Sequence, residues 1–349
     1  MGQVTSISWT HHTFNPWWGC EKVSPACRGC YAERDAKRWR PDVSLWGPGS
    51  VRQVAGDRTW REPLKWARAA RAAGERRRVF CASMADVFEG RSDLDEPRAR
   101  LWGMIRATPE LDWLLLTKRP ENVARMVPSA WLEGVDRRRL VAAGWPTNVW
   151  LGTTVEDQEH AAKRIPELLR VPARTRFLSV EPLLERLPHL DRFFWMNGGS
   201  TAGPWIDALG RHRGGGGPGG QQLSSTPSGD IAWVIVGGES GPNARPMHPD
   251  WVREIRDACT GEVRYDRPPG VAFHFKQWGE WCPSDGDAGD LWLFHDGQSQ
   301  PWTPGSRGAE PGRWALGGDA LMVCAGKKLA GRELDGRTWD EFPAQAVPG

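Results

Sequence analysis

The run Trp113-Leu-Leu-Leu-Thr-Lys-Arg-Pro120 carries the pattern that decides the fold, an apolar segment that ends abruptly in polar and charged residues. Its apolar part is continuous and does not alternate with polar residues, as in strands that are buried on both faces of a parallel sheet. The same pattern recurs along the chain at 79–83, 149–153, 176–180, 232–236 and 271–276. Amphipathic helical segments lie between these strands, at 96–107, 157–169 and 250–259.

This alternation of strand and helix predicts an α/β fold, a partial or full (β/α) barrel of parallel strands. A further strand is expected at 4–9, ahead of the others. We expect residues 1–281 to form the barrel, with 197–230, which is dominated by Gly, Ser and Pro, as a disordered insertion. Residues 282–349 are expected to form an irregular C-terminal extension packed on the barrel.

The carboxyl ends of the predicted strands carry small and charged side chains. Because the loops after the strands of such a barrel converge on one face, these residues predict a binding site there. Each one taken alone is also explained as a cap of the helix that follows. The candidates for binding are Ser83, Asp86, Lys118, Arg119, Glu156, Ser179, Glu181, Gly237, Gly238 and Glu239.

Three cysteines near the start, Cys20, Cys27 and Cys30, predict a metal centre. Their spacing brings three thiolates to one centre and leaves a fourth position open, because no second Cys or His pair follows at the distance that zinc ribbons and fingers use. An open position indicates reactivity. The other cysteines are isolated in the sequence, at Cys81, Cys259, Cys282 and Cys324.

Composition sets the class of protein. With 349 residues, 39% of them hydrophobic, the chain can bury a large core. No apolar run approaches the roughly 20 residues of a membrane span, and the first eight residues do not resemble a signal peptide, so we expect no membrane association and a cytoplasmic location. An odd number of cysteines, 7, with three of them clustered, fits a reducing compartment.

The basic residues are mostly arginines, since only 8 of the 46 are lysines. Two interpretations stay open. The arginines are ordinary solvated charges, or they form a face that contacts phosphate groups. The clusters in question are Arg34, Lys37, Arg38 and Arg40, then Arg68, Arg71, Arg76, Arg77 and Arg78, and then Arg137, Arg138 and Arg139.

Several motifs together carry a resemblance to a known family. They are the cysteine run with Tyr31-Ala32, Leu116-Thr-Lys-Arg-Pro120, Gly152-Thr-Thr-Val-Glu156, Ser179-Val-Glu-Pro-Leu183, Gly237-Gly-Glu-Ser-Gly-Pro-Asn-Ala-Arg-Pro246 and Phe275-Lys-Gln-Trp-Gly279. In this order they resemble the phage-associated three-cysteine-motif family of unknown function (DUF5131-like). That family is in turn similar to radical S-adenosylmethionine (SAM) enzymes.

The resemblance implies a radical SAM-like barrel and its chemistry. Cys20, Cys27 and Cys30 would bind three irons of a 4Fe-4S cluster, and the amino and carboxylate groups of SAM would bind the fourth. A one-electron donor of the flavodoxin or ferredoxin type would then trigger formation of a 5′-deoxyadenosyl radical, which abstracts hydrogen from the substrate. The departure is the spacing, since six residues separate Cys20 from Cys27 where most radical SAM enzymes have three.

The resemblance also suggests roles for the strand-end residues. Ser83 and Asp86 are candidates for the SAM amine, and Glu156, Ser179 and Glu181 for the ribose or the substrate. A Gly-Gly-Glu contacts the amine in radical SAM enzymes, but there it follows the second strand, so the role of Gly237-Gly238-Glu239 stays open. Lys118 and Arg119 are candidates for a substrate phosphate or carboxylate, or are paired charges on a helix.

Two functions are consistent with these features. The first is a radical SAM enzyme, whose substrate we expect to be a nucleic-acid base or nucleotide because of the arginine clusters and the implied phage association. The alternative is a non-catalytic zinc- or iron-sulfur-binding module that binds DNA or RNA, with His11 or His12 as the fourth ligand. The many polar strand ends favour the enzyme, since a binding module does not need them.

Overall fold

The computed structural model describes residues 5, 7–136, 141–188, 190, 231–260, 271–284, 290–301 and 318–343. The predicted insertion at 197–230 and the cluster Arg137 to Arg139 lie outside the described residues.

The strands of the described residues are β1 (His12–Thr13), β2 (Trp17–Trp18), β3 (Gln53–Val54), β4 (Arg77–Cys81), β5 (Leu111–Thr117), β6 (Val135–Asp136), β7 (Val141–Ala142), β8 (Val149–Thr154), β9 (Thr175–Val180), β10 (Ile231–Gly237), β11 (Ala272–Gln277), β12 (Cys282–Pro283), β13 (Leu291–Leu293), β14 (Ser299–Pro301), β15 (Ala320–Val323), β16 (Glu333–Leu334) and β17 (Arg337–Thr338). The α-helices are α1 (Tyr31–Trp39), α2 (Asp57–Trp60), α3 (Glu62–Ala73), α4 (Asp95–Ala107), α5 (Val123–Met126), α6 (Gln158–Arg170), α7 (Pro249–Thr260) and α8 (Lys327–Ala330).

Seven strands form one parallel sheet in the order β1-β4-β5-β8-β9-β10-β11. Six of them are the strands predicted from continuous apolar runs, within three residues at each end, and the three predicted helices are α4, α6 and α7. The interior strands are buried along their length, as β8 shows at every residue. The mixed α/β fold with parallel strands is therefore confirmed, as an open sheet of the kind found in partial (β/α) barrels.

The prediction of a first strand at 4–9 is wrong. Ser8 and Trp9 lie in a turn, and the strand that pairs with β4 is β1, with His12 opposite Val79. The apolar pattern misled because Trp9 is buried by its side chain, whose ring packs 4.7 Å from that of Phe80, and not by strand pairing.

The chain divides into two compact units. The first consists of Met1–Thr154, Arg164–Phe177 and Ser224–Ile231, and the second of Val155–Lys163, Leu178–Leu223 and Ala232–Gly349. In the second unit the described C-terminal residues form an antiparallel sheet, β12-β15-β13-β14, and the hairpin β16-β17. The backbone of β11 bonds to this region, since Phe275 N–H donates to the Trp339 carbonyl at 2.9 Å. The predicted boundary at residue 281 stays a prediction.

In the part of the chain that the structure describes, no helix combines the length and the apolar character that crossing a bilayer requires.

A buried histidine in β11 gives the fold a pH dependence. Burial lowers the pKa of His274 from 6.5 to about 4, against the opposing effect of Asp340, whose carboxylate lies 3.5 Å away. Arg332, Glu181 and Lys276 also face this imidazole. Between pH 6.5 and about 4 the unfolded chain binds a proton that the folded chain does not, so stability is lost as the pH falls through this window.

We expect this histidine to cost up to about 3 kcal/mol of unfolding free energy across that window. Urea denaturation of the wild-type chain and of His274→Leu at several pH values measures it. The variant should lose less stability between neutral and acidic pH than the wild type. If the free energy of unfolding falls equally with pH in the two proteins, His274 is not the source of the pH dependence.

Candidate metal centre and neighbouring polar residues

The cysteine loop of the first unit runs beside the segment that follows β4. Gly19 forms a bridge with Ala85, and its N–H donates to the Met84 carbonyl at 3.0 Å. Gly19 has φ +111, and a Cβ at this position would overlap the carbonyl oxygen of Leu45. Only glycine therefore allows the loop to approach this closely and to carry Cys20 to the carboxyl end of β4.

The three cysteines are free thiols with half-buried side chains. Cys27 ends a short 3₁₀ turn, and its Sγ lies 3.7 Å from the Ser24 hydroxyl. Cys30 is the N-cap residue of α1, a position at which the helix dipole favours negative charge. Cys27 and Cys30 thus flank the short turn that leads into α1.

Cys20 has a charged neighbour that the sequence did not assign to it. The Arg119 guanidinium donates from Nη1 to Cys20 Sγ at 3.6 Å and from Nη2 to the Glu21 carbonyl at 2.8 Å. Burial and then Asp86 raise the pKa of the Cys20 thiol to about 12, although Arg119 opposes them. A metal would have to displace this proton, so its binding at Cys20 is coupled to proton release.

Asp86 holds Arg119 in place. Its two carboxylate oxygens accept from the Thr117 hydroxyl at 2.8 Å, and from the N–H of Phe88, the N–H of Lys118 and Arg119 Nη1 at 3.0 Å each. Burial lowers the pKa of Arg119, but the charges of Asp86 and Cys20 outweigh it and the net pKa is raised. These four donors occupy the carboxylate that was predicted to bind an amine.

Ser83, the other residue predicted for the amine, lies between Asn15 and Tyr31. The Asn15 amide donates to Ser83 Oγ at 3.0 Å and accepts from the Met84 N–H at 2.9 Å. The Tyr31 hydroxyl donates to the Ser83 carbonyl at 3.0 Å. Tyr31 follows Cys30 directly, so this hydrogen bond links the segment after β4 to the start of α1.

A second buried ion pair, Arg52 with Glu89, was not predicted. Arg52 donates from Nε and Nη2 to the two Glu89 oxygens at 2.8 and 2.7 Å, and both side chains are nearly inaccessible, at 0% and 4%. Arg52 also donates to the carbonyls of Leu45, Gly47 and Ser50. This ion pair links the loop after α1 to the segment after β4. No local sequence pattern predicts the pair, because Arg52 and Glu89 are 37 residues apart.

Three thiolates suit two kinds of metal centre. They bind one zinc ion together with a fourth ligand, at Zn–S distances of about 2.3 Å, or each of them binds a different iron of a 4Fe-4S cluster. Among the described residues, the one set of three ligand atoms within 4.8 Å of each other is that of Glu156, Asp157 and His160, so the three cysteine sulfurs do not all lie within this distance.

The histidines considered as a fourth zinc ligand have other partners. His11 Nδ1 accepts from the Arg78 N–H at 2.9 Å. The His12 ring is buried in β1 and stacks on Trp66, with centroids 4.4 Å apart and an interplanar angle of 1°. Both contacts are structural, and they favour a structural role for these two histidines.

In the second unit, Glu156 and the start of α6 form a small polar cluster. Asp157 accepts from the His160 N–H at 2.7 Å, as an N-cap residue does, and its oxygen lies 2.6 Å from His160 Nδ1. Glu156 is fully buried, and its Oε1 lies 3.9 Å from the same nitrogen. Asp157 and His160 were missed by sequence reasoning, although Asp-x-x-His before a helix is a recognisable N-cap pattern.

Ser179 and Glu181 lie at the end of β9. The Ser179 hydroxyl donates to Glu181 Oε2 at 3.1 Å, and Lys276 Nζ lies 2.8 Å from Glu181 Oε1. The motif residues Ser179, Glu181 and Lys276 are thus brought together, as their positions at strand ends predicted.

Gly237, Gly238 and Glu239 have structural contacts of their own. A Cβ on Gly238 would overlap the Trp278 carbonyl oxygen and lie 2.7 Å from the carbonyl carbon. The chain after β10 can therefore approach the chain after β11 this closely only because residue 238 has no side chain. Glu239 accepts from Arg245 Nε and Nη2 at 2.8 and 2.6 Å. These contacts explain the Gly-Gly-Glu without a ligand, and a role in cofactor binding stays a prediction.

The basic residues fall into two groups. Arg76 pairs with Asp112 at 2.5 Å, Arg78 donates to the Trp9 carbonyl at 3.1 Å, and Lys118 Nζ donates to the Thr154 hydroxyl at 3.4 Å. On α1, by contrast, Arg34 and Arg38 are exposed. The cluster at Arg76 to Arg78 is therefore largely engaged within the protein, whereas Arg34 and Arg38 are exposed on the helix that follows the cysteines.

Comparison with known proteins gives a family. No curated protein and no solved structure matches the chain. The family model described as "Protein of unknown function (DUF5131)" matches residues 4–343, nearly the whole length. This match confirms the family that the motifs indicated, and the further similarity to radical SAM enzymes stays a proposal. The chain belongs to the DUF5131 family of proteins of unknown function.

Proposed function

We propose that this protein is a radical SAM-like iron-sulfur enzyme. The observation that carries the proposal is the cysteine loop, in which Cys20, Cys27 and Cys30 are free, half-buried thiols and Gly19 brings Cys20 to the carboxyl end of β4. Cys20 lies beside the carboxyl ends of β4 and β5, where Arg119 donates to its sulfur. Ligand sites of α/β folds lie at this end of the strands.

The residues present fit a 4Fe-4S cluster that binds SAM at the iron without a cysteine ligand. When bound, this pair supplies one-electron cleavage of SAM and abstraction of hydrogen from an unreactive C–H bond. The chain itself would hold the cluster through the three thiolates. Arg119 balances part of the negative charge of the centre, and hydrogen bonds to sulfur of this kind also set the potential of such clusters.

For the SAM amine we favour Ser83 over Asp86. Both oxygens of Asp86 are already occupied by four donors, and the carboxylate is needed to hold Arg119. Ser83 is half-buried, and Asn15 and Tyr31 fix its hydroxyl and its carbonyl. Glu156, Ser179 and Glu181 stay proposed for the ribose or the substrate.

The proposed substrate class is a nucleic-acid base or nucleotide. This class rests on the arginine clusters of the sequence and on the phage association that the resemblance implies. Binding of single-stranded DNA, RNA and mononucleotides at moderate salt tests it. If none of these binds, the substrate proposal should be dropped while the iron-sulfur proposal stands.

Anaerobic reconstitution with iron and sulfide tests the chemistry. We expect a brown protein with about four irons per chain, and release of 5′-deoxyadenosine from SAM after reduction with dithionite. Cys20→Ala, Cys27→Ala and Cys30→Ala should each abolish 5′-deoxyadenosine release, because each removes an iron ligand. Cys324→Ala removes an exposed thiol outside the loop and should change neither iron content nor product.

The alternative function gives a different result in the same experiment. A colourless protein that holds one zinc ion tightly and never cleaves SAM would contradict the enzyme proposal. It would favour the metal-binding, nucleic-acid-binding module instead.

A further inference from the structure

Exposed apolar side chains are concentrated around the cysteine loop. Of the eight large hydrophobic residues that are exposed in the described part of the chain, five lie between residues 23 and 54. They are Val23 (43%), Tyr31 (43%), Trp39 (56%), Val51 (63%) and Val54 (45%). Scattered apolar residues need no explanation, but a concentration in one segment indicates an interaction surface.

Contacts within the first unit join part of this segment into one surface. The Trp39 ring at the end of α1 lies 5.7 Å from that of Trp18, which pairs with Gln53 beside Val54. Arg40 Nη1 donates to the Gln53 side chain at 3.2 Å. We call the exposed side of α1 together with β3 the α1 surface.

The α1 surface is also basic. Residues 21–54 contain seven basic and four acidic side chains, so this short segment has the same net charge, +3, as the whole chain. Arg52 is buried against Glu89, but the other positive charges lie near or at the surface. The exposed ones among them are Lys22, Arg28, Arg34, Lys37 and Arg38, of which Lys22 and Lys37 pair with Glu33 at 2.7 Å.

The surface adjoins the proposed metal centre. Cys30 is the N-cap of α1, and Arg34 N–H donates to its carbonyl at 3.2 Å. Arg28 is exposed between Cys27 and Cys30. A partner bound to α1 would therefore contact residues that lie only a few positions along the chain from Cys27 and Cys30, two of the three proposed thiolate ligands.

We propose that the α1 surface docks a small acidic one-electron carrier protein, of the flavin or iron-sulfur type, that reduces the metal centre. This inference rests on the proposed function, which requires such a reductant. In the step, the carrier loses one electron and the cluster gains it, and no bond is made or broken. Aliphatic side chains such as Val51 and Val54 suit a protein partner better than a nucleic acid, and the surrounding positive charges select an acidic one.

Reduction kinetics of the reconstituted full chain test the docking. The variant Arg34→Glu/Arg38→Glu reverses two charges one helical turn apart on α1. We expect reduced flavodoxin, used as the probe, to reduce its cluster at least tenfold more slowly than that of the wild type at low salt, since charge on the rim controls association rates. Dithionite, which is small and needs no docking surface, should reduce both proteins at the same rate.

A matched charge reversal on exposed arginines elsewhere, Arg58→Glu/Arg68→Glu, should leave the flavodoxin rate unchanged. An equal flavodoxin rate for the α1 variant and the wild type would overturn the docking proposal. So would loss of oligonucleotide binding in the α1 variant with the flavodoxin rate intact, which would make the surface a nucleic-acid site. Failure of the proposed function is seen separately, as a protein that assembles no cluster.

Discussion

Arg52→Met should lower the free energy of unfolding by about 3–5 kcal/mol, as loss of one partner of a buried ion pair does. The substitution leaves the Glu89 carboxylate charged and buried, with both oxygens deprived of their 2.7 and 2.8 Å partners. The buried carbonyl of Leu45 also loses its Arg52 donor, and so do the partly buried carbonyls of Gly47 and Ser50. Urea denaturation measures the effect.

Two controls separate the buried pair from charge removal in general. Arg186→Met removes the partner of Glu254 from a pair whose side chains are 45% and 31% exposed, and it should cost no more than about 1 kcal/mol. Adding Glu89→Leu to Arg52→Met removes the orphaned charge and should recover part of the loss. Equal losses for Arg52→Met and Arg186→Met would show that the pair does not stabilise the cysteine loop.

The sheet was predictable because its strands are buried on both faces. A strand such as β8, in which every residue is buried, must be apolar or small throughout, and this leaves a signal that a single sequence can show. The first strand was predicted at the wrong residues for the opposite reason: β1 lacks the apolar signal that the interior strands carry. A two-residue strand that contains the buried His12 has no apolar run, whereas Trp9 outside the strand supplies one.

The sequence predicted where the polar residues of the candidate site lie, but not which contacts they make. Strand-end location identified Asp86 and Arg119, since polar groups there face the loops, but not that they bond each other. Asp86 and Arg119 are 33 residues apart and belong to different strand ends, so only the register of β4 and β5 brings them together. Arg52 and Glu89 lie in loops, where no periodicity marks a partner.

Gly238→Ala should lower the free energy of unfolding by at least about 3 kcal/mol. A Cβ would overlap the Trp278 carbonyl oxygen and also lie 2.7 Å from the carbonyl carbon, and this backbone cannot move without separating the ends of β10 and β11. At Gly237 the obstacle is Glu181 Oε1 at 2.8 Å, the end of a flexible side chain, so Gly237→Ala should cost less. Chemical denaturation of the two variants checks the order.

Gly103→Ala provides the control, because this glycine lies within α4 and a Cβ there meets nothing within 4 Å. It should stabilise the protein by up to about 1 kcal/mol, the difference in helix propensity between the two residues. If Gly238→Ala instead leaves stability unchanged and weakens SAM binding alone, the glycine serves the cofactor and not the sheet. Stability and SAM binding are measured separately in Gly238→Ala and its control Gly103→Ala. The two measurements together therefore show whether the Gly-Gly-Glu motif serves the fold or the chemistry.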